Sequence, residues 1–258
     1  MNVELIEEII DKLKYFVRLY SLNSLFVAGG YCRAKVMDTV EEIDDIDVAS
    51  AHSTGAMNLC GLFSSEFLNT TPQFYHRTGT GIVEHQGIRI EFQNQSTNSY
   101  MHNEEVVQWM HKNGIRNNPL NNNLYGRDFG INSLSLSLKN GELYDLTKRA
   151  IPDFQSGRIA SLLPPEMLVK YNPMVILRAI RFGIKYDFVI DPPLRKVMKE
   201  KSQSIFKYYS QERITKEIEK IMKAGTEEAL KQLQKYGLMS AVMPEQLRKY
   251  VTLVERKK

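Results

Sequence analysis

The sequence predicts an α+β chain, with a mixed α/β head over residues 1–150 and a helical part over residues 151–258. Three observations predict it. Up to about residue 150, period-two apolar runs alternate with runs at helical spacing, and Gly- or Asn-bearing turns separate them. Beyond that point nearly every apolar pattern has helical spacing. The charge also changes sign there. Residues 1–150 carry 13 Lys and Arg against 18 Asp and Glu, a net of −5, and residues 151–258 carry 21 against 12, a net of +9. An acidic half suited to a metal ion is thus joined to a basic half suited to a polyanion. Charge scattered over helical faces is the plainer alternative.

Taken in order, residues 3–20 form an amphipathic helix, because Leu5, Ile6, Ile9, Ile10, Leu13, Phe16, Val17 and Tyr20 fall on one stripe. Ser24 to Ala28 is a short buried strand ended by Gly29-Gly30, and a helix follows from about Tyr31 to Met37. Residues 45–49 are the next strand and residues 53–64 another helix. Phe74 to Phe92 is a hairpin that turns at Glu84-His85-Gln86-Gly87. Residues 93–123 carry the weakest signal. Asn117, Asn118, Asn121, Asn122 and Asn123 around Pro119 predict a mobile loop, with Trp109 anchoring a short helix before it. From Phe129 to Asp145 the pattern returns to strands, through Ile131, Leu134, Leu136 and Leu138, with a turn at Asn140-Gly141.

Composition narrows the class. With 258 residues and 43% hydrophobic content the chain can bury a real core. Only two cysteines occur, Cys32 and Cys60, which excludes a disulfide framework and suits a reducing cytoplasm. No Cys/His cluster has zinc spacing. The first residues are acidic, with no basic leader and no long apolar run, so neither a signal peptide nor a membrane span is expected.

The chemistry centres on Asp45-Ile46-Asp47, shortly after Gly29-Gly30-Tyr31-Cys32-Arg33. Alternate residues of a strand face the same side, about 6.6 Å apart, while Ile46 and Val48 face the core. Two such carboxylates can grip one divalent ion, or a pair of ions about 3.5–4 Å apart. The glycine pair would let a phosphate approach the backbone, although a Gly-Gly pair is more often a plain turn. Metal plus phosphate suggests phosphoryl or nucleotidyl transfer.

Four blocks occur in an order that resembles the class II tRNA nucleotidyltransferase and bacterial poly(A) polymerase family. Phe26 to Arg33, followed by Asp44-Asp45-Ile46-Asp47-Val48-Ala49, is similar to the family's GGxVRD block and its acidic strand. Gly126-Arg127-Asp128-Phe129-Gly130-Ile131-Asn132-Ser133-Leu134 resembles RRDFTINAL. Asn172 to Phe182 resembles DPLRILRAIRF, and Ser210 to Ile218 resembles a helix after the family's neck. The resemblance runs from about Ser24 to Met222. It implies a polymerase-beta-like nucleotidyltransferase head at 1–150 and an all-helical neck and body at 151–258 for nucleotide selection and RNA binding, short at its C-terminal end for the family.

The implied reaction is untemplated attack by an RNA 3′-hydroxyl, on tRNA or a tRNA-like end, at the α-phosphate of ATP or CTP. The implied cofactor is Mg²⁺, as two ions held by Asp45 and Asp47. Glu91 is either a third carboxylate of that site or an outward-facing strand residue. Gly29 and Gly30 clear the backbone, and Arg33 meets the triphosphate at a helix start, where the dipole favours anions. By resemblance Arg127 helps place the nucleotide and Asn132 touches the ribose. Asp128 either joins them or caps a helix or turn. Arg178 and Arg181, three apart on a helix, share a face suited to phosphate, and Lys185 extends it.

The chain departs from the pattern where the family reads the base. Its EDxxR signature, at the start of that same helix, is replaced by Tyr171, Asn172 and Val175. Val175 cannot hydrogen-bond through its side chain, and Asn172 has both an acceptor and donors. Nucleotide choice is therefore expected to be relaxed or shifted towards ATP. Ala34, Gly126 and Gly130 each replace a polar or charged family residue. These departures keep two rivals open: oligo(A) addition to RNA in general, and an RNA-binding protein that has lost catalysis. The basic end, with Arg248, Lys249, Arg256, Lys257 and Lys258, is either a phosphate contact or a solvated terminus.

Overall fold

The computed structural model describes residues 3–37, 43, 45–50, 55–94 and 98–242. The chain divides into two compact units, Met1–Ile151 and Pro152–Lys258. The first contains α1 (Val3–Leu19), β1 (Leu25–Ala28), α2 (Gly30–Met37), β2 (Asp45–Ser50), α3 (Ala56–Phe63), β3 (Gln73–Tyr75), β4 (Thr80–His85), β5 (Ile88–Gln93), α4 (Glu104–Lys112), α5 (Pro119–Tyr125), β6 (Ser135–Ser137) and β7 (Leu143–Tyr144). Its strands form one seven-stranded sheet in the order β3-β4-β5-β2-β1-β6-β7. The β2–β5 pair is parallel and the other neighbours are antiparallel.

One face of this sheet is the core. Ile46, Val48, Ile90 and Phe92 are buried on it, and Ile9, Ile10, Leu13 and Phe16 of α1 are fully buried. Phe63, at the end of α3, bridges the layers. Its ring centroid lies 5.4 Å from Phe16 and 5.8 Å from Phe92. Each such side chain contributes about 1.5–3 kcal/mol by leaving water. Gly81 of β4 meets α3 so closely that an added Cβ would lie 2.5 Å from Cys60 Cβ. The β4–β5 hairpin closes on Gln86-Gly87, both at positive φ (50° and 84°), the backbone that the tightest hairpin turn requires.

Two segments differ from the sequence expectation. The Asn-rich stretch is helical: Asn118 caps α5, its Oδ1 accepting from Asn121 N at 2.8 Å, and Pro119 occupies the first turn. An Asn cap followed by Pro is a helix start, and here it outweighs the loop composition. Trp109 lies in α4, which Asn103 caps. Farther on, Gly130–Asn132 is a 3₁₀ turn rather than strand, so the strand begins only at Ser135.

The second unit contains most of α6 (Ala150–Gln155), then β8 (Arg158–Ile159), α7 (Pro165–Tyr171), α8 (Val175–Tyr186), β9 (Val189–Ile190), α9 (Pro192–Lys201), α10 (Ser204–Tyr208), α11 (Gln211–Ala224) and α12 (Thr226–Lys235). It is helical except for the parallel β8–β9 pair. Its core joins Ile176, Leu177 and Ile180 of α8 to Ile214, Ile218 and Ile221 of α11, all buried. Among the described residues no helix is long and apolar enough to cross a membrane. Cys32 and Cys60 are free and buried. Asp44 and the basic end at 248–258 lie outside the described residues.

Candidate active site

The sheet face opposite α1 and α3 carries the acidic residues. In β2, Ile46 is buried, Asp47 half-buried and Asp45 exposed, as a two-residue period requires. Parallel pairing puts Arg89 beside Asp45 and Glu91 beside Asp47. Glu91 thus shares the face of Asp47. Arg89 Nη2 reaches Glu91 Oε2 at 2.9 Å, and Gln93 Nε2 donates to Oε1 at 2.6 Å. Burial, and then the charge of Asp47, push the Glu91 carboxyl above the usual range despite those contacts. A half-buried carboxylate held beside a second one in this way favours an added cation.

Gly29, at the end of β1, is the tightest point. Its φ is +78°, and a Cβ there would lie 2.8 Å from Asp47 Oδ2 and 3.0 Å from Arg127 Nη1. At Gly30 a Cβ would meet Asp45 Oδ1 at 3.7 Å and Arg33 Nη2 at 3.9 Å, which are ordinary contacts. The close approach that requires glycine is therefore at Gly29, under Asp47 and Arg127, while Gly30 has ordinary room beside it.

Arg33, in the first turn of α2, is buried and joins a relay. Its Nη1 donates to Asn132 Oδ1 at 2.5 Å, and Asn132 Nδ2 donates to Asp128 Oδ1 at 2.6 Å. Asp128 Oδ1 also accepts from Phe129 N at 3.0 Å. Asp128 thus braces the 3₁₀ turn and orients Asn132. Arg127 follows α5, which packs against β2. Its Nη1 lies 3.5 Å from Asp47 Oδ2, and Nη2 donates to Asn123 Oδ1 at 3.2 Å. Its Nε is buried with no partner among the described residues. Nine of the sequence-selected residues therefore meet in this unit: Gly29, Gly30, Arg33, Asp45, Asp47, Glu91, Arg127, Asp128 and Asn132. Asn123 was hidden in the segment read as a loop; its signal was the Asn-Pro helix start.

The other three lie in the second unit. Asn172 caps the end of α7 and Val175 opens α8, so the altered base-reading positions span a turn between two helices rather than one helix start. Val175 is fully buried. Tyr209 O–H donates to Asn172 Oδ1 at 2.7 Å. Arg178 and Arg181 flank Phe182, their guanidinium carbons 5.5 and 4.4 Å from its ring centroid. Arg181 Nε is bound by Glu217 Oε1 at 2.6 Å. Glu217 is buried on the apolar side of α11, between Ile214 and Ile218. A charge inside an apolar stripe was the sequence signal for it.

The acid face suits a hard cation. Its donors are carboxylate oxygens, and no group of three His, Cys, Asp or Glu that could hold an ion by itself occurs among the described residues. Mg²⁺ is typically held by one or two carboxylates completed by substrate phosphate and water. Asp45 and Asp47 fit that pattern.

Residues 25–160 match the family model described as the poly(A) polymerase head domain. The chain belongs to this family. Residues 187–249 match a second model, described as a probable RNA- and SrmB-binding site of polymerase A. Among similar proteins, the mitochondrial CCA tRNA nucleotidyltransferase of Saccharomyces cerevisiae is 23% identical over 222 residues, covering 79% of this chain and 39% of the relative. The CCA-adding enzyme of Limosilactobacillus reuteri is 28% identical over 207 residues, covering 76% and 45%. The CCA-adding enzyme of Thermotoga maritima in complex with tRNA shares the fold, with a TM-score of 0.73 at 21% identity over 94% of this chain and 53% of that one. The chain thus spans about half or less of these relatives.

Proposed function

We propose that this chain is a metal-dependent, template-independent nucleotidyltransferase that adds nucleotides from ATP or CTP to the 3′ end of tRNA or a tRNA-like RNA in the cytoplasm. The observation that carries this reading is the acid face, where Asp47 stands in register with Glu91 and against a glycine that no side chain can replace without touching it. In the reaction the RNA 3′-oxygen forms a bond to the α-phosphorus, and the bond from that phosphorus to the pyrophosphate oxygen breaks. Mg²⁺, held by Asp45 and Asp47 with Glu91 beside them, would lower the proton affinity of the attacking hydroxyl and offset charge on the triphosphate.

The chain's own residues would position the reactants. Gly29 lets the backbone pass beneath Asp47 and Arg127, and the room beside Gly30 would let a phosphate approach the start of α2. Arg33, held by Asn132 and Asp128, offers a fixed positive charge at the start of α2. Arg127 bridges Asn123 and Asp47, so it can pass from carboxylate to phosphate over a short path. Glu217 takes the Nε edge of Arg181, which leaves its Nη atoms for phosphate. Asn172 would face the base.

Incubation with labelled RNA primers and each triphosphate tests the reading. It predicts Mg²⁺-dependent extension of a tRNA lacking its 3′ end, and it fails if no primer grows with any triphosphate. A second reading, A addition to RNA in general, is favoured by buried Val175, which removes the polar group the family uses there. Equal extension of tRNA and unstructured RNA by ATP alone would support that one.

A further inference from the structure

Tyr209, between α10 and α11, is met by two side chains. Its O–H donates to Asn172 Oδ1 at 2.7 Å. The Arg213 guanidinium stands over its ring, 4.7 Å from the centroid. Asn172 opens the Asn172-Pro173-Met174 turn from α7 to α8, so the phenol pins the side chain at the start of that turn.

This fixes the amide. An asparagine amide has an acceptor end and a donor end of nearly equal shape, and only its hydrogen bonds decide which way round it sits. Here the carbonyl end is taken by Tyr209, and Nδ2 hydrogen-bonds no described residue. Val175, three residues on, is buried and adds no polar group.

We propose that Tyr209 is a positioning residue that turns the Asn172 amide so that Nδ2 is the end offered to the incoming base, selecting bases whose ring nitrogen accepts a hydrogen bond. The inference rests on the role proposed above for Asn172. Adenine N1 and cytosine N3 are acceptors, whereas the matching ring nitrogens of guanine and uracil carry hydrogen. A fixed donor favours ATP and CTP; a reversed amide would favour GTP and UTP. Tyr209→Phe keeps the ring beneath Arg213 and removes the proton that holds the carbonyl, so both amide orientations become available.

The test compares kcat/KM for primer extension with ATP, GTP and 1-deaza-ATP, in which C–H replaces N1, using the full chain and its Y209F variant. The unmodified chain is expected to prefer ATP over each competitor by about tenfold, one well-formed hydrogen bond. Y209F is expected to bring the ATP/GTP ratio to within about threefold. A merely structural tyrosine would lower kcat/KM for every nucleotide alike and leave the ratios intact, and that result overturns the proposal. So does equal use of ATP and 1-deaza-ATP by the unmodified chain, a measurement that does not depend on how the variant folds. Both results leave nucleotidyl transfer standing. Absence of transfer with any triphosphate overturns the proposed function, and this inference with it.

Discussion

Replacing Gly29 by alanine adds one carbon at the most crowded point of the acid face. Two costs follow. The backbone there has φ +78°, a conformation that costs an L residue about 1–2 kcal/mol. The new Cβ would also lie 2.8 Å from Asp47 Oδ2 and 3.0 Å from Arg127 Nη1, so the Asp47 carboxylate must move by several tenths of an ångström. Carboxylate and guanidinium are both ends of flexible side chains, so the steric part is relieved mostly by displacement rather than unfolding. The expected stability loss is therefore about 1–2 kcal/mol, the backbone part alone. The functional loss should be larger, about tenfold to a hundredfold in transfer rate, because misplacement of a reacting group by a fraction of an ångström to 1 Å costs on that scale. Gly30→Ala is the control. Its Cβ makes only ordinary contacts, and alanine in the first turn of α2 should be neutral or stabilising by about 0.5–1 kcal/mol. Urea unfolding and primer extension on both variants give the comparison. Equal loss in the two variants, or full activity in G29A, would refute the reasoning.

Other outcomes follow from the same geometry. Glu217→Ala leaves the half-buried Arg181 guanidinium without its carboxylate, so urea unfolding should show a loss of about 3 kcal/mol. Asn118→Ala removes the cap of α5 and should cost about 1 kcal/mol in the same measurement. Glu91 has a raised folded-state pKa, so its ionised form opposes folding at neutral pH. Without divalent ions, Glu91→Gln should therefore stabilise the protein at pH 7, and the gain should vanish as the pH falls below the ordinary carboxylate range, where the unfolded chain is protonated too; thermal unfolding against pH reads this, and a gain that grows towards low pH would contradict it. Burial raises the thiols of Cys32 and Cys60 to about 12 and about 11, so a thiolate-selective reagent at pH 8 should leave both untouched until denaturant is added.

Much of the site was legible because it is written locally. The period of two sets Asp45 and Asp47 on one face and Ile46 on the other, and that needs no tertiary information. The hairpin turn is equally local, since Gln86-Gly87 supplies both positive φ angles. The apolar stripe of α8 follows from its spacing alone. What could not be read are the partners. Glu217 meets Arg181 across 36 residues and Tyr209 meets Asn172 across 37, and no periodicity in either segment names the other. Gly29 and Gly30 are indistinguishable as letters; only the crossing of Asp47 and Arg127 above one of them separates their roles. The helix at Pro119–Tyr125 was obscured because asparagine composition suggests a loop while the capping position of Asn118 specifies a start.

The central claim is that the two strand-borne carboxylates of β2 perform the chemistry. The most direct measurement is Mg²⁺-dependent extension of a labelled tRNA lacking its 3′ end by the Asp45→Ala/Asp47→Ala double variant, with folding checked by circular dichroism. Asp45 is exposed and Asp47 half-buried, so the variant should fold as the unmodified chain does and extend no primer. Primer extension at the unmodified rate would contradict the account.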